Sequence, residues 1–161
     1  MKKYLLLLGV CVAFAFSACR KTVQSPFDAS RQAKIDDQTI QDYFLLNQIT
    51  DVTKDPSGLY YHIDTPGTGA HPTAASKVVV NYTSYSLDDT QLESQPSYYF
   101  SLPDIDIEAW RIGLQFIGKG GTITMYVPSG LAFGEAGGGV KMNVPPNTCL
   151  IYHMTLQGFS N

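Results

Sequence analysis

The feature that most constrains the fold of this 161-residue chain is one short helical segment set among several strand-like segments. After Gly58 the chain repeatedly alternates apolar and polar residues, which is the period of a half-buried β-strand. These strand-like segments are residues 59–64, 77–86, 91–94, 98–102, 122–127 and 148–158. Residues 107–116 instead carry apolar side chains around most of a short helix. The pattern predicts an α+β fold in which an antiparallel sheet of about five strands wraps on one short helix.

Upstream of these segments, apolar residues at helical spacing predict a further helix over about residues 30–48. The apolar stripe consists of Ile35, Ile40, Tyr43, Phe44 and Ile49. Ser30 is the candidate N-cap, and Asp36, Asp37 and Asp42 fall on the other faces. The helix can pack on its own domain or pair with another copy of the chain, and both arrangements remain open.

The first 18 residues have the composition of an export signal. Lys2 and Lys3 form a basic start, and the apolar run over residues 5–16 is shorter than the ~20 residues of a membrane-spanning helix. Ser17-Ala18-Cys19 then resembles a bacterial lipobox, in which Cys19 is lipidated; ordinary cleavage nearby is the alternative. The predicted organisation is a lipoprotein signal at 1–18, a tether at 19–29, a helix and linker at 30–56 and a folded domain at 57–161.

Cysteine content and charge limit how the domain is held together and what it binds. Cys11 lies in the signal, so lipidation of Cys19 leaves Cys149 alone and the domain must rely on its core rather than on a disulfide. The formal charge of −3 predicts no nucleic-acid surface. The histidines lack zinc-site spacing and no Gly-x-Ser-x-Gly elbow is present, so we expect neither a metal, nor another cofactor, nor a serine hydrolase.

A set of aromatic residues from different segments forms either a core or a pocket, and composition alone does not distinguish the two. The set is Tyr82, Tyr98, Phe100, Trp110, Phe133 and Tyr152. The motifs around it resemble FKBP-type prolyl isomerases, and more specifically their bacterial exported members. The matching segments are VNYTSYSLDDTQLES, YYFSL, Ile107 with Trp110, YVPSGLAFGEAG, and VPPN followed by LIY. The resemblance covers about residues 58–159 in unbroken order.

This resemblance implies a role for each pocket residue. Trp110 is the implied pocket floor and the Ile107 N–H the implied donor to a substrate carbonyl. The implied walls are Tyr82, Tyr98, Phe133 and Tyr152, with Val144 and Ile107 at the rim. Glu93 occupies an acidic position that orients pocket groups, and Leu92 and Phe100 are expected to contact the substrate. Leu92 replaces a Phe of the family, Glu93 a shorter Asp, and Phe133 a Tyr whose hydroxyl donates to the bound peptide.

The resemblance implies a peptidyl-prolyl cis-trans isomerase that assists the folding of exported proteins. A catalytically weak binding or chaperone module that holds unfolded segments is the alternative, and a purely structural lipoprotein is a third. The expected partners are proline-containing exported polypeptides, the membrane through the lipid on Cys19, and a second copy of the chain through the upstream helix. The expected location is the periplasmic face of the outer membrane.

Overall fold

The structure is a computed structural model that describes residues 27–138 and 143–161. The predicted signal, Cys19 and most of the predicted tether therefore lie outside the described residues. Within the described ranges, no helix is both long enough and apolar enough to cross a membrane.

Six antiparallel strands form one sheet in the order β1-β2-β5-β6-β3-β4. Their bounds are β1 Thr53–Lys54, β2 Tyr60–Thr65, β3 Lys77–Ser86, β4 Gln91–Ser101, β5 Thr122–Val127 and β6 Leu150–Ser160. The predicted α+β class is confirmed, but the sheet has one strand more than the five expected. The additional strand, β1, has two residues and lies in the predicted linker, where so short a segment cannot display an alternating pattern.

Two α-helices flank the sheet among the described residues, α1 at Ala29–Leu46 and α2 at Glu108–Gly113. A 3-10 turn at Leu114–Phe116 continues α2. The prediction of Ser30 as the N-cap of α1 was wrong, because Asp28 Oδ1 accepts hydrogen bonds from the Ser30 and Arg31 backbone N–H groups at 3.0 and 3.1 Å. Aspartate and serine are both favoured N-caps, so the sequence alone did not distinguish them.

The edge strand β4 contains a bulge where the sequence predicted a gap between two strands. Val80 pairs with Tyr98, whereas Tyr82 pairs with Gln95, so β4 has one more residue than β3 in this interval. Ser97 in the bulge has a φ of 51° and donates its N–H to Asn81 Oδ1 at 2.8 Å. The neighbouring Pro96 has no N–H to donate, which an edge strand tolerates.

The two faces of the sheet bury two separate apolar clusters. One face packs on α2 around Trp110, and the other is partly covered by α1. The cluster under α1 consists of Ile40, Phe44, Tyr60, Tyr126, Cys149 and Ile151. The Phe44 ring meets Tyr60 and Tyr126 edge-on, with ring centroids 5.2 and 4.8 Å apart. Thus α1 packs on its own domain, and the predicted Asp36 position was wrong because this side chain is buried rather than on a polar face.

Candidate functional site

Trp110, the only tryptophan of the chain, lies on α2 with 2% of its surface exposed and faces the sheet. The helix approaches the sheet closely at Gly113, where a Cβ atom would collide with Met125 Sδ. The indole Nε1 is buried and has no hydrogen-bond partner among the described residues. Trp110 therefore forms an apolar platform between α2 and the strands.

Four aromatic rings surround this platform. The ring centroids of Tyr82, Tyr152, Phe100 and Tyr98 lie 4.6, 5.2, 5.3 and 6.2 Å from that of Trp110. Tyr82 and Tyr152 come from the neighbouring strands β3 and β6, while Tyr98 and Phe100 come from β4. Tyr98 keeps 39% of its surface exposed, whereas the other three rings are buried. The structure thus brings these predicted residues together in one cluster that opens to solvent on the Tyr98 side.

A hydrogen bond fixes the orientation of Tyr82. Its hydroxyl donates to Glu93 Oε2 at 2.7 Å, and Gln95 Nε2 donates to the other carboxylate oxygen at 3.2 Å. Burial of the ring, and then the bond to Glu93, raise the pKa of Tyr82 well above its usual value of 10.0. Tyr82 therefore remains neutral and keeps its proton on the oxygen that faces Glu93, so it has no role as a base.

Ile107 precedes α2, and its backbone N–H donates to no acceptor among the described residues. An arginine not predicted from the sequence fixes this segment. Arg111 Nε and Nη2 donate to the carbonyls of Leu102 and Ile105 at 3.1 and 3.0 Å, and Arg111 Nη1 pairs with Glu108 at 3.0 Å. No sequence motif marks these contacts, because the acceptors are backbone carbonyls and any residue can supply them.

The chain after β5 completes the cluster with Phe133 and Val144. Phe133 is half-buried against the Trp110 core, and Val144 is buried within it. Gly138 lies between them, since a Cβ atom there would sit 2.9 Å from Val144 Cβ and 3.3 Å from Phe133 Cδ2. The Gly138 N–H donates to the Val144 carbonyl at 2.9 Å. Leu92 on β4 is also half-buried against this core.

Tyr152 carries a polar atom into the centre of the cluster. Its side chain is fully buried, and its hydroxyl has no partner within residues 27–138 and 143–161. Burial and, to a smaller extent, the charge of Glu93 raise the pKa of Tyr152 well above 10.0. The hydroxyl is therefore neutral, and the site as a whole is apolar, with one carboxylate at its edge.

The opposite face of the sheet contains a groove of about 630 Å³ with a different character. Polar side chains line it, including Asp64, Thr124 and His153, whose side chains are joined by hydrogen bonds of 3.0 and 2.9 Å through the Thr124 hydroxyl. Over the described ranges, no group of three or more His, Cys, Asp or Glu side chains is arranged to hold a metal ion. The aromatic cluster around Trp110 is therefore the better candidate for a site that binds an apolar group.

Comparisons with known proteins place this fold and cluster in context. A search of protein families matches residues 69–157 to the family described as FKBP-type peptidyl-prolyl cis-trans isomerase. The chain is 36% identical over 104 residues to a probable FKBP-type peptidyl-prolyl cis-trans isomerase, FkpA, of Neisseria meningitidis, with 62% of this chain and 37% of that protein covered. It is 35% identical over 106 residues to the outer membrane protein MIP of Legionella longbeachae, with 63% and 44% covered.

A solved structure agrees with these sequence matches. The crystal structure of FkpA from Escherichia coli superposes with a TM-score of 0.69 and 27% sequence identity, covering 81% of this chain and 62% of that one. The match spans only 37% of the length of the Neisseria relative, so it concerns part of a longer protein.

Proposed function

Because this chain belongs to the FKBP-type peptidyl-prolyl cis-trans isomerase family, we propose that it interconverts the cis and trans forms of X–Pro bonds and so assists the folding of exported proteins. The observation that carries this proposal is the buried Trp110 platform, with the rings of Tyr82, Tyr152 and Phe100 centred 4.6, 5.2 and 5.3 Å from it. A proline ring is an apolar group that such a platform can bind.

The chemistry of the reaction requires neither a nucleophile nor a metal ion. The X–Pro amide has partial double-bond character, and rotation about such a bond has a barrier of about 18–20 kcal/mol. Twisting the amide removes its resonance and lowers the polarity of its carbonyl. A dry apolar pocket therefore disfavours the planar, polar form relative to the twisted one, which lowers the barrier.

Individual residues take roles that fit this chemistry. Trp110 packs under the proline ring, and Tyr98, Phe133 and Tyr152 surround it. The Ile107 N–H, which is uncommitted among the described residues, donates to a substrate carbonyl. Glu93 holds the Tyr82 hydroxyl at 2.7 Å and so keeps that ring in place as a wall. Leu92, Phe100 and Val144 complete the apolar surface.

A coupled-protease isomerisation assay tests the proposal directly. We expect the protein to accelerate the cis–trans exchange of a Leu-Pro tetrapeptide anilide, and we expect Trp110→Ala to abolish most of the acceleration in a folded protein. Ile117→Ala, which removes a buried side chain of the same core without removing one of the clustered rings, is the control for destabilisation alone. A rate equal to the uncatalysed one, together with measurable binding of an unfolded protein, would instead support the holding module.

We also propose that Cys19 carries a lipid that anchors the domain to the outer membrane. The lipobox-like Ser17-Ala18-Cys19 supports this anchor, and a relative whose name is outer membrane protein MIP supports that location. In a bacterial host that processes lipoproteins, radiolabelled palmitate should enter the wild-type protein and not Cys19→Ser. Cys149→Ser is the matched control and should label normally, whereas labelling of Cys19→Ser would refute the anchor.

A homodimer through α1 is the remaining proposal on partners. Leu45 and Leu46 near the end of α1 are 79% and 81% exposed, and this apolar surface supports pairing with a second copy. Sedimentation should give a dimer for the wild type and a monomer for Leu45→Gln with Leu46→Gln. A monomeric wild-type protein would rule the dimer out.

A further inference from the structure

Asp36 on α1 is a buried carboxylate outside the aromatic cluster, with 2% of its surface exposed. Its Oδ2 accepts hydrogen bonds from the Ser129 backbone N–H at 2.9 Å and from the Ser129 hydroxyl at 2.7 Å. Its Oδ1 accepts from Gln32 Nε2 at 2.7 Å. A buried carboxylate requires such partners, and bonds to a charged acceptor are stronger than neutral ones. Asp36 therefore connects α1 to the start of the loop that follows β5.

This loop carries a wall of the aromatic cluster. Ser129 lies two residues after β5, and Phe133 lies four residues further along. Leu131, Ala132 and Phe133 pack against the Trp110 core, and Gly138 joins Phe133 to Val144. The position of Ser129 therefore determines where the loop leaves the sheet and where the Phe133 ring meets the cluster.

Apolar packing between α1 and the loop is incomplete at this point. A cavity of about 260 Å³ lies between them, and Phe27, Gln32, Asp36, Leu131 and Glu135 are among the residues that line it. Because an open cavity supplies few van der Waals contacts, the hydrogen bonds of Asp36 carry a large share of the attachment here. Ser129 is itself buried, so its N–H would lose its acceptor if Asp36 were removed.

We propose that Asp36 is a positioning residue for the site, which acts through Ser129 to hold the loop that bears Phe133 and so sets the affinity for the proline-containing segment. The proposal rests on the proposed function for the identity of the substrate. Helix α1 lies outside residues 69–157, which match the family model, whereas Ser129 lies within them, so this contact joins a segment upstream of the matched residues to the matched part of the chain. Asp36 itself does not touch the bound peptide.

Two side chains allow the contact between α1 and the Ser129 loop to be measured separately from peptide binding at the ring cluster. Cys149 is buried beneath α1, where its thiol donates to the Asp36 carbonyl at 3.9 Å, so its reaction with a thiol reagent measures the opening of α1. Trp110 is the only tryptophan, so its fluorescence measures binding of a Leu-Pro tetrapeptide. The full chain with Cys11→Ser and Cys19→Ser leaves Cys149 as the single thiol.

The variants form a graded series on this background. Asp36→Ala removes both bonds to Ser129, Ser129→Ala removes only the hydroxyl bond, and Asp36→Asn retains an acceptor. Asp42→Ala is the matched control, because Asp42 is an exposed carboxylate on the same helix whose side chain, among the described residues, accepts a hydrogen bond from Gln38 alone. We expect Asp36→Ala to raise Cys149 reactivity about tenfold to one-hundredfold, Ser129→Ala to raise it less, and Asp36→Asn to stay within about threefold of the wild type.

Measurements of peptide binding and catalysis test whether the contact between Asp36 and Ser129 affects the site. We expect Asp36→Ala to weaken the peptide affinity and raise KM about threefold to tenfold, with a smaller change in kcat, because a displaced wall weakens binding of both amide forms. Unchanged peptide affinity in Asp36→Ala, despite a reactive Cys149, would overturn the positioning role and leave a purely structural contact. If Asp36→Ala does not fold, the same two readouts on Ser129→Ala decide the question.

The two proposals fail in different ways. A wild-type protein that binds the tetrapeptide without accelerating its isomerisation would refute the proposed enzyme. The Trp110 titration of Asp36→Ala and Asp42→Ala would then still support or overturn the positioning role, because it measures binding alone.

Discussion

The hydroxyl of Tyr82 on β3 donates a 2.7 Å hydrogen bond to Glu93 Oε2 on the edge strand β4. This bond joins the ring that is closest to Trp110, among those measured, to the outermost strand of the sheet. The family resemblance implies a shorter aspartate at the Glu93 position. Here the glutamate side chain reaches the Tyr82 hydroxyl from a position directly opposite Ser84. A hydrogen bond therefore joins the ring cluster to the edge of the sheet.

Removal of this bond should affect stability and catalysis together. Tyr82→Phe leaves a half-buried carboxylate without its closest donor, so we expect the free energy of unfolding to fall by about 1 to 2 kcal/mol and the isomerase rate to fall several-fold. Urea unfolding followed by Trp110 fluorescence measures the first effect. Thr83→Val removes a hydrogen bond to Ser94 in the same strand pair and is the control, with no expected loss of rate.

Restoring a hydroxyl at the Phe133 position should increase activity. The family resemblance implies that Phe133 replaces a tyrosine whose hydroxyl donates a hydrogen bond to the bound peptide, and one such bond is worth about 0.5–1.5 kcal/mol. We therefore expect Phe133→Tyr to raise kcat/KM about threefold to tenfold in the coupled assay. Phe116→Tyr, in a half-buried ring that stacks on Tyr61 elsewhere in the same core, should leave it unchanged. An unchanged rate for Phe133→Tyr would mean that the missing hydroxyl does not limit catalysis.

The buried hydroxyl of Tyr152 should cost stability. Since it has no partner among the described residues, Tyr152→Phe removes an unsatisfied polar group while keeping the ring. We expect the free energy of unfolding to rise by about 1 kcal/mol. Tyr82→Phe is the opposite case, because it removes a bonded hydroxyl from the same cluster. A destabilised Tyr152→Phe would indicate that the hydroxyl has a hydrogen-bond partner.

Arg111 should be essential for the segment that carries Ile107. Arg111→Met keeps much of the apolar length of the side chain but leaves the Leu102 and Ile105 carbonyls without their donors. We expect the free energy of unfolding to fall by about 1 to 3 kcal/mol and KM to rise, because the Ile107 N–H loses its fixed direction. Lys119→Met, which removes an exposed cation from an isolated β-bridge with Thr68, is the control and should change neither quantity.

The pKa of Cys149 predicts an alkaline dependence of stability. Burial, with a smaller contribution from Asp36, raises the pKa of this thiol from 9.0 to about 12. The unfolded thiol ionises near pH 9 while the native one stays protonated, so its contribution to stability is complete below pH 9 and is lost as the pH rises towards about 12. We therefore expect that, in the background lacking Cys11 and Cys19, the free energy of unfolding measured with urea falls more steeply above pH 9 in the protein that retains Cys149 than in Cys149→Ala. Parallel curves would contradict this.

Much of the fold was determined by the sequence alone. The alternation of apolar and polar residues predicted β3 and β5 with their observed bounds, because a sheet with one face on a core requires that period. The helical stripe likewise predicted α1 to within two residues at either end. The motifs also identified the family and the ring cluster around Trp110, since those residue types recur at defined spacings along the chain.

Other features depended on contacts between residues far apart in sequence, which no local pattern encodes. The strand β1 is too short to show a period, and the β4 bulge appears in the sequence only as an interruption at Pro96 and Ser97. Asp36 was predicted on a polar face because aspartate is usually solvated. It is buried instead, and Ser129, 93 positions away, supplies two of the three donors to its carboxylate.

The candidate site likewise has features that the sequence predicted and features that only the tertiary structure decided. The resemblance to the family supplied its candidate residues, because the matching motifs carry them in unbroken order along the chain. The pairing of Tyr82 with Glu93 and the attachment of the Phe133 loop to α1 were decided only by the tertiary structure, because hydrogen-bond partners are selected by distance and direction after the chain has packed.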